Sequence, residues 1–217
     1  MAAGDGNFAV AAAREGASVI ASDLSPGMVE RGRRRADAEG LAIEWVEADA
    51  EELPFEDGRF DCVGSVFGVF LAPRPDVAAG ELARVTRPGG TVGITAWSPE
   101  GYQAGLFELN NRYFPRPQGI PPGIDWGREE VLRNRFEGLA VEISERSLEF
   151  SFATREEMSE MLAKVPTQVA ARETLSEADY AAYQEELVEL ADRFNEAADG
   201  SVRIVGNYLV VVARKRG

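Results

Sequence analysis

Apolar and polar positions fall into two alternating rhythms over the first hundred residues. Residues 7–15 are Ala-rich and stop at Gly16, which predicts a helix closed by a glycine cap. Residues 17–21 form a short apolar run that ends at Asp23 and predicts a strand. Ser25-Pro26 supplies an N-cap and a proline at the first helical position, opening a helix that runs to about Glu39 and halts at Gly40. Residues 43–46 and 60–67 read as two further strands, with a loop rich in Glu, Pro and Gly between them. A helix over 77–85 stops before Pro88-Gly89-Gly90, and a β-branched strand follows over 91–97. Strand and helix alternating at short spacing predict βαβ units on a mostly parallel, doubly wound α/β sheet.

The rhythm changes at Ser98. Pro115, Pro117, Pro121 and Pro122 sit among Tyr113, Phe114 and Trp126, which predicts a long turn-rich segment carrying large aromatics. Residues 139–150 read as a strand. Thr154-Arg-Glu-Glu157 is a capping box that opens a helix, and Ser176 opens a longer one that reaches about Ala198. Residues 204–212 form a last strand, placed so that an antiparallel edge pair closes the sheet. The organisation expected is a core over 1–97, a cap over 98–200 that includes the core strand 139–150, and a closing strand and tail over 201–217.

Composition narrows the function. The 217 residues carry 23 Lys and Arg against 37 Asp and Glu, a net charge of −14, and 45% are apolar. A surface this acidic repels phosphate backbones, so nucleic-acid partners are not expected. The longest mostly apolar run, 63–72, is half a membrane span, and no secretory signal opens the chain, so a cytoplasmic protein without a membrane partner is expected. The single cysteine, Cys62, lies among apolar residues and reads as a buried small hydrophobe. With no histidine, the usual general base and the commonest metal ligand are both missing, and no metal site is expected.

The chemistry concentrates at turns. Ala3-Gly4-Asp5-Gly6-Asn7-Phe8-Ala9 is a G-x-G-x-x-A pattern just before a helix, where glycines let a ligand approach the backbone and a helix N-terminus offers free N–H groups. Asp23 closes the next strand, where a carboxylate accepts from both ribose hydroxyls. The turn alone is equally a tight turn with two glycines, and Asp23 alone a turn residue ahead of Ser25. Together they favour a nucleoside.

Three more blocks follow in order: Glu47-Ala48-Asp49-Ala50-Glu51-Glu52-Leu53-Pro54-Phe55, then Phe60-Asp61-Cys62-Val63-Gly64-Ser65-Val66-Phe67-Gly68, then Pro88-Gly89-Gly90-Thr91. In these residues the chain resembles the class I S-adenosylmethionine-dependent methyltransferases, in the branch around the ubiquinone/menaquinone-biosynthesis enzymes. The resemblance covers residues 1 to about 97. It implies a Rossmann-like fold, S-adenosylmethionine as cofactor, and a small-molecule methyl acceptor. Ala3, Gly4, Asp5 and Gly6 would then lie by the methionine part of the cofactor, Asp23 on the ribose and Leu24 near the adenine. Asp49 and Ala50 would meet the adenine, and Ser65 and Val66 would line the methionyl group and the sulfonium; Asp49 equally fits a solvated loop acid, and Ser65 a strand-end residue bonded to the backbone. Phe67, Trp97, Tyr102, Tyr113 and Trp126 are candidates for the acceptor side, although most of the aromatics in this region are expected to pack as core. No residue stands out as catalytic; Tyr102, Glu108, Tyr113 and Asp125 are the available bases, and methyl transfer depends mainly on alignment.

A nicotinamide-dependent oxidoreductase shares the glycines and Asp23, and a methyltransferase fold without turnover shares everything. A homodimer is compatible with either. The first strand expected of the family would lie ahead of Met1. The expectation is therefore that the reading frame extends upstream by a helix and a strand, about 20–45 residues, and that the 217-residue form alone folds or binds poorly.

Overall fold

The computed structural model describes residues 1–217, the side chain of Pro166 excepted. The chain divides into two compact units, one of residues 1–96, 121–144 and 209–217, the other of residues 97–120 and 145–208.

The first unit opens with α1 (Asn7–Arg14), β1 (Val19–Asp23), α2 (Pro26–Ala38) and β2 (Ile43–Glu47). The expected caps are in place: Ser25 accepts from the Met28 N–H, and Gly16 and Gly40 take the left-handed conformation that ends each helix. β1 and β2 pair in parallel, Val19 opposite Ile43 through Asp23 opposite Glu47, as a two-stranded sheet. Trp45 of β2 lies beneath both helices. A Cβ added at Gly32 would sit 2.0 Å from its ring, and one at Gly6 2.6 Å from it. These glycines are therefore required by packing as well as by turns.

β3 (Phe60–Val66), α3 (Pro75–Val85) and β4 (Thr86–Trp97) follow. They belong to a second sheet, ordered β3-β4-β6-β5, in which β3 and β4 are parallel. β4 starts five residues before the expected 91–97. Thr86 turns helix into strand, its hydroxyl donating to the Leu82 carbonyl at 2.7 Å. The residues after it bulge, so that Phe60 faces Thr86 while Cys62 already faces Thr91. A Cβ at Gly90 would lie 2.8 Å from the Asp61 carbonyl, which explains the glycine.

The first unit also contains a 3₁₀ turn over Gly123–Gly127 and α5 (Glu129–Arg135). Residues 121–144 were expected in the cap. They join the first unit because Trp126, Leu132 and Phe136, each at most 1% exposed, pack against Val69 and Leu82. Full burial of each such side chain contributes about 1.5–3 kcal/mol.

β5 (Ala140–Phe152) and β6 (Val202–Arg214) complete the sheet. Gly89 and Gly90 exchange hydrogen bonds with Lys215, while the Ser98 N–H donates to the Asn207 carbonyl. The numbering runs in opposite senses, so the last strand, β6, is antiparallel to β4, and β5 takes the edge beside it.

The second unit packs α4 (Gly101–Tyr113), α6 (Arg155–Leu162), α7 (Pro166–Thr174) and α8 (Glu177–Phe194) around Tyr102, Leu109, Tyr183 and Ile204. α4 was not expected: Gly101 and Gly105 weaken its pattern and no side chain caps it. Gly105 is there because Leu190 of α8 would lie 2.6 Å from a Cβ. The one helix expected after Thr154 is two, separated ahead of Pro166. The capping box itself forms, with Thr154 accepting from the Glu157 N–H at 3.2 Å and Glu157 reaching back to the Ala153 N–H at 2.7 Å. Among the described residues no helix is long and apolar enough to cross a membrane.

Candidate functional site

The glycine turn is built almost wholly by backbone. The Ala3 N–H donates to the Ser22 carbonyl at 2.9 Å, tying the turn to β1, and the Gly6 N–H closes it on Ala3 at 2.9 Å. Asp23, at the end of β1, accepts from the Gly4 N–H at 2.7 Å and from the Ser25 N–H at 3.0 Å. Two hydrogen bonds thus aim one carboxylate across the turn. Gly4 and Gly6 have φ of +56° and +93°, a region side chains avoid. A Cβ on Gly4 would meet nothing within 4 Å, so its backbone is open. Gly6 caps α1 without a side-chain hydrogen bond, leaving the first-turn N–H groups and their positive potential to a ligand.

A cavity of about 1150 Å³ adjoins this turn. Ala3, Gly4, Asp5, Asp23, Val66 and Phe67 all line it, so the cavity brings together residues from the turn, from the end of β1 and from the end of β3. Asp5 also answers to α2: Arg31 and Arg35 stand 3.3 and 3.7 Å from its carboxylate, and Arg35 donates to Asn7 at 2.7 Å. These exposed pairs orient the turn and contribute little to stability.

Other expected contacts lie elsewhere. Gly6 is buried over Trp45 rather than facing the cavity. Leu24 points to solvent, 66% exposed, because Asp23 and Ser25 hold the turn on either side of it. Asp49 is exposed and caps its own loop, accepting from the Glu51 N–H at 2.8 Å, with Ala50 half-buried beside it. Ser65 takes the second of its two readings. It is 1% exposed, and its hydroxyl accepts from the Val69 N–H at 2.9 Å, holding the turn after β3 instead of facing the cavity.

The loop after β2 is anchored firmly to α3. Glu81 accepts from the Leu53 N–H at 2.7 Å and pairs with Arg84, which also donates to the Leu53 and Phe55 carbonyls and to Asp57. The Arg84 guanidinium holds the Glu81 carboxyl below the usual range. Buried Glu51 accepts from both the backbone and the guanidinium of Arg74.

Of the five acceptor-side candidates, Phe67 alone lines the cavity. It has φ of +51°, a conformation that costs a non-glycine residue on the order of 1–3 kcal/mol. Its N–H donates to the Thr95 hydroxyl at 3.0 Å. Trp126 is core, with Arg135 stacked 4.4 Å over its ring. Trp97 packs with Phe150 and Tyr208 in the second unit, ring centroids 6.2 Å apart in each case. Tyr102 is buried there, and burial pushes its hydroxyl up to about 12. Tyr113 donates to Glu186 at 2.6 Å; that bond raises the phenol and lowers the carboxyl. Glu108 is exposed and Asp125 pairs with Arg128 at 3.1 Å, so neither is poised as a base. Among the described residues no group of His, Cys, Asp or Glu is arranged to hold a metal.

The cavity lining also includes residues outside the expected set, among them Ser25, Met28 and Gly68. Gly68 had a signal, since a glycine just past a strand end invites close approach. A Cβ there would lie 2.4 Å from the Ala2 carbonyl. Met28 follows from Ser25 by helix geometry, one turn into α2.

Residues 1–94 match a family described as methyltransferase domain. The chain is 44% identical over 147 residues to an uncharacterised protein of Mycobacterium bovis, covering 67% of this chain and 54% of that protein. It is 44% identical over 98 residues to a demethylmenaquinone methyltransferase of Clavibacter sepedonicus, covering 45% of this chain and 40% of that one. The chain thus spans about half the length of the curated relatives it matches. A Bacillus halodurans C-125 structure assigned as a methyltransferase superposes with a TM-score of 0.68 at 22% identity, over 100% of this chain and 90% of that one, a likeness of fold.

Proposed function

We propose, on the premise that residues 1–94 belong to the class I S-adenosylmethionine-dependent methyltransferases of the ubiquinone/menaquinone type, that this protein uses S-adenosylmethionine to methylate a small molecule. The observation that carries the reading is the Asp23 carboxylate held across an open glycine turn.

The residues present fit that cofactor. A carboxylate offers about four lone-pair sites. Asp23 has two engaged by Gly4 and Ser25, which leaves it able to accept from ribose hydroxyls. The bare backbone at Gly4 and the N-terminus of α1 accommodate a polar, partly anionic ligand end. When bound, the cofactor supplies a methyl group already activated on a sulfonium. The protein's own work is to position, with Phe67 and Val66 supplying an apolar wall that excludes water. Tyr102, protonated across neutral pH, and Tyr113, committed to Glu186, are not bases. The acceptor is therefore read as a nucleophile that needs no strong base from the enzyme. The small-molecule partner, rather than nucleic acid or membrane, is supported by the net charge of −14; a cytoplasmic location and a compatible homodimer belong to the same reading.

The test is transfer of labelled methyl from S-adenosylmethionine into a mixture of small quinones, phenols and amines. Label in an organic product supports the proposal, and a purified, folded protein that transfers none refutes it. A second reading, a methyltransferase fold without turnover, is favoured by one observation: β1 and β3 belong to separate sheets. It predicts S-adenosylhomocysteine binding without labelled product.

A further inference from the structure

Toward its end β3 presents two distinct faces. Val63 and Ser65 are buried, while Cys62, expected to be buried, lies on the exposed face with Val66. Strand alternation would carry residue 67 onto the buried face with 63 and 65. Phe67 instead lines the cavity next to Val66, because its φ of +51° breaks the alternation. Glycine takes this conformation without strain, whereas a bulky side chain takes it only where its surroundings impose it. The surroundings here are specific. The β3–β4 ladder ends at Val66 opposite Thr95. The next donor, the Phe67 N–H, goes to the Thr95 hydroxyl at 3.0 Å rather than to a strand carbonyl. On the other side, Ser65 accepts from the Val69 N–H at 2.9 Å, and the Leu71 N–H closes on the Gly68 carbonyl at 3.0 Å. A Cβ at Gly68 would stand 3.1 Å from the Ser65 hydroxyl, so the turn has little slack. Both flanks of Phe67 are pinned, and a strained aromatic is kept where a glycine would fit more easily. Strain of this kind collects at functional sites.

We propose that Phe67 is a specificity-determining residue whose ring meets the positive sulfur of the cofactor, so that the site prefers S-adenosylmethionine to S-adenosylhomocysteine, and that Thr95 is the positioning residue that holds it there. The inference rests on the S-adenosylmethionine reading and adds to it a preference for the cation over the neutral thioether. In S-adenosylmethionine the positive sulfur lies between the ribose and the methionine end. A ribose on Asp23 and a methionine end at Gly4 and Asp5 keep that sulfur in the cavity that Phe67 lines. The face of an aromatic ring carries negative potential and attracts a cation, more strongly where water is excluded. The neutral sulfur of S-adenosylhomocysteine gains nothing comparable from the same ring. Once the methyl group has left, the ring therefore no longer favours the spent cofactor, which exchanges for a fresh one. The carboxylates that line the same cavity, Asp5 and Asp23 among them, also attract a cation. They are unchanged when position 67 alone is altered, so a change in preference there reports the ring.

The experiment is titration calorimetry with S-adenosylmethionine and with S-adenosylhomocysteine on the unaltered protein, Phe67→Leu, Thr95→Val and Thr95→Ser. The readout is the ratio of the two affinities, which a general loss of stability does not move. Phe67→Leu should lower the preference for S-adenosylmethionine about threefold to tenfold. Thr95→Val removes the acceptor of the Phe67 N–H and should lower the preference by a smaller factor, while Thr95→Ser restores the hydroxyl and should keep it. If Phe67→Leu does not fold, a trifluorinated phenylalanine at position 67 keeps the shape, weakens the negative ring face and should lower the ratio in the same direction. An unchanged ratio in Phe67→Leu or in the fluorinated protein, with both ligands still bound, overturns this inference and leaves the methyltransferase reading standing. A preference lost in Phe67→Leu but kept in Thr95→Val overturns the positioning role of Thr95. If the folded, unaltered protein binds neither ligand, the S-adenosylmethionine reading falls and this inference with it.

Discussion

The glycine-turn side of the first unit and the helical second unit use polar groups in opposite ways. In the first, backbone N–H groups aim a carboxylate at open space: Gly4 and Ser25 hold Asp23 beside a large cavity. In the second, polar side chains satisfy one another inside the fold. Tyr183 donates to Asn110 at 2.7 Å and accepts from Gln168, which in turn accepts from Gln184, and Tyr113 is spent on Glu186. A satisfied buried network specifies packing, whereas a preorganised group with spare lone pairs specifies a ligand. The tyrosines of the second unit therefore read as architecture, and the chemistry belongs to the first.

The largest expected effect would break the first region by packing alone. Gly32→Ala places a Cβ where the Trp45 ring stands, 2.0 Å away. An alanine in a helix interior ordinarily stabilises by about 1 kcal/mol. Here the overlap with a buried tryptophan reverses the sign, and about 3 kcal/mol of destabilisation is expected in denaturant unfolding. Unchanged or raised stability would mean that Trp45 does not lie under the turn.

A smaller effect concerns pH. In the 217-residue chain burial brings the folded Met1 amine down to about 6 from its ordinary 8.0. Between these values the unfolded chain binds more protons, so stability rises with pH across that window and falls as pH drops from 8 to 6. About 2 kcal/mol is at stake, read from urea unfolding at a series of pH values. Acetylating the amine should flatten the dependence.

The smallest effect sharpens the contrast. Tyr113→Phe removes the bond to Glu186 in the second unit. S-adenosylhomocysteine affinity should not change, and calorimetry that shows a loss would bring this tyrosine into the site.

The same contrast explains what was legible in the sequence. The turn at Gly4 and Gly6 was readable because its left-handed backbone needs glycine, and Ser25-Pro26 and Thr154-Glu157 announced helix starts for an equally local reason. Ser65 kept two readings because sequence position puts it at a strand end but not on one face of it; its hydroxyl accepts from the Val69 N–H. Trp126 kept two readings because an aromatic among prolines reads alike whether it lines a pocket or fills a core; it fills the core. α4 escaped notice since its glycines answer to Leu190, 85 residues along the chain from Gly105. Long-range packing of this kind leaves no local pattern.

The central claim is that Asp23 and the glycine turn hold S-adenosylmethionine. Titration calorimetry of the folded protein and of Asp23→Ala, with S-adenosylhomocysteine and with NAD, tests it most directly. The expected result is binding of S-adenosylhomocysteine but not of NAD, weakened at least about tenfold by the substitution, or 1.4 kcal/mol. Equal affinity in the two proteins, or preferential binding of NAD, would contradict it.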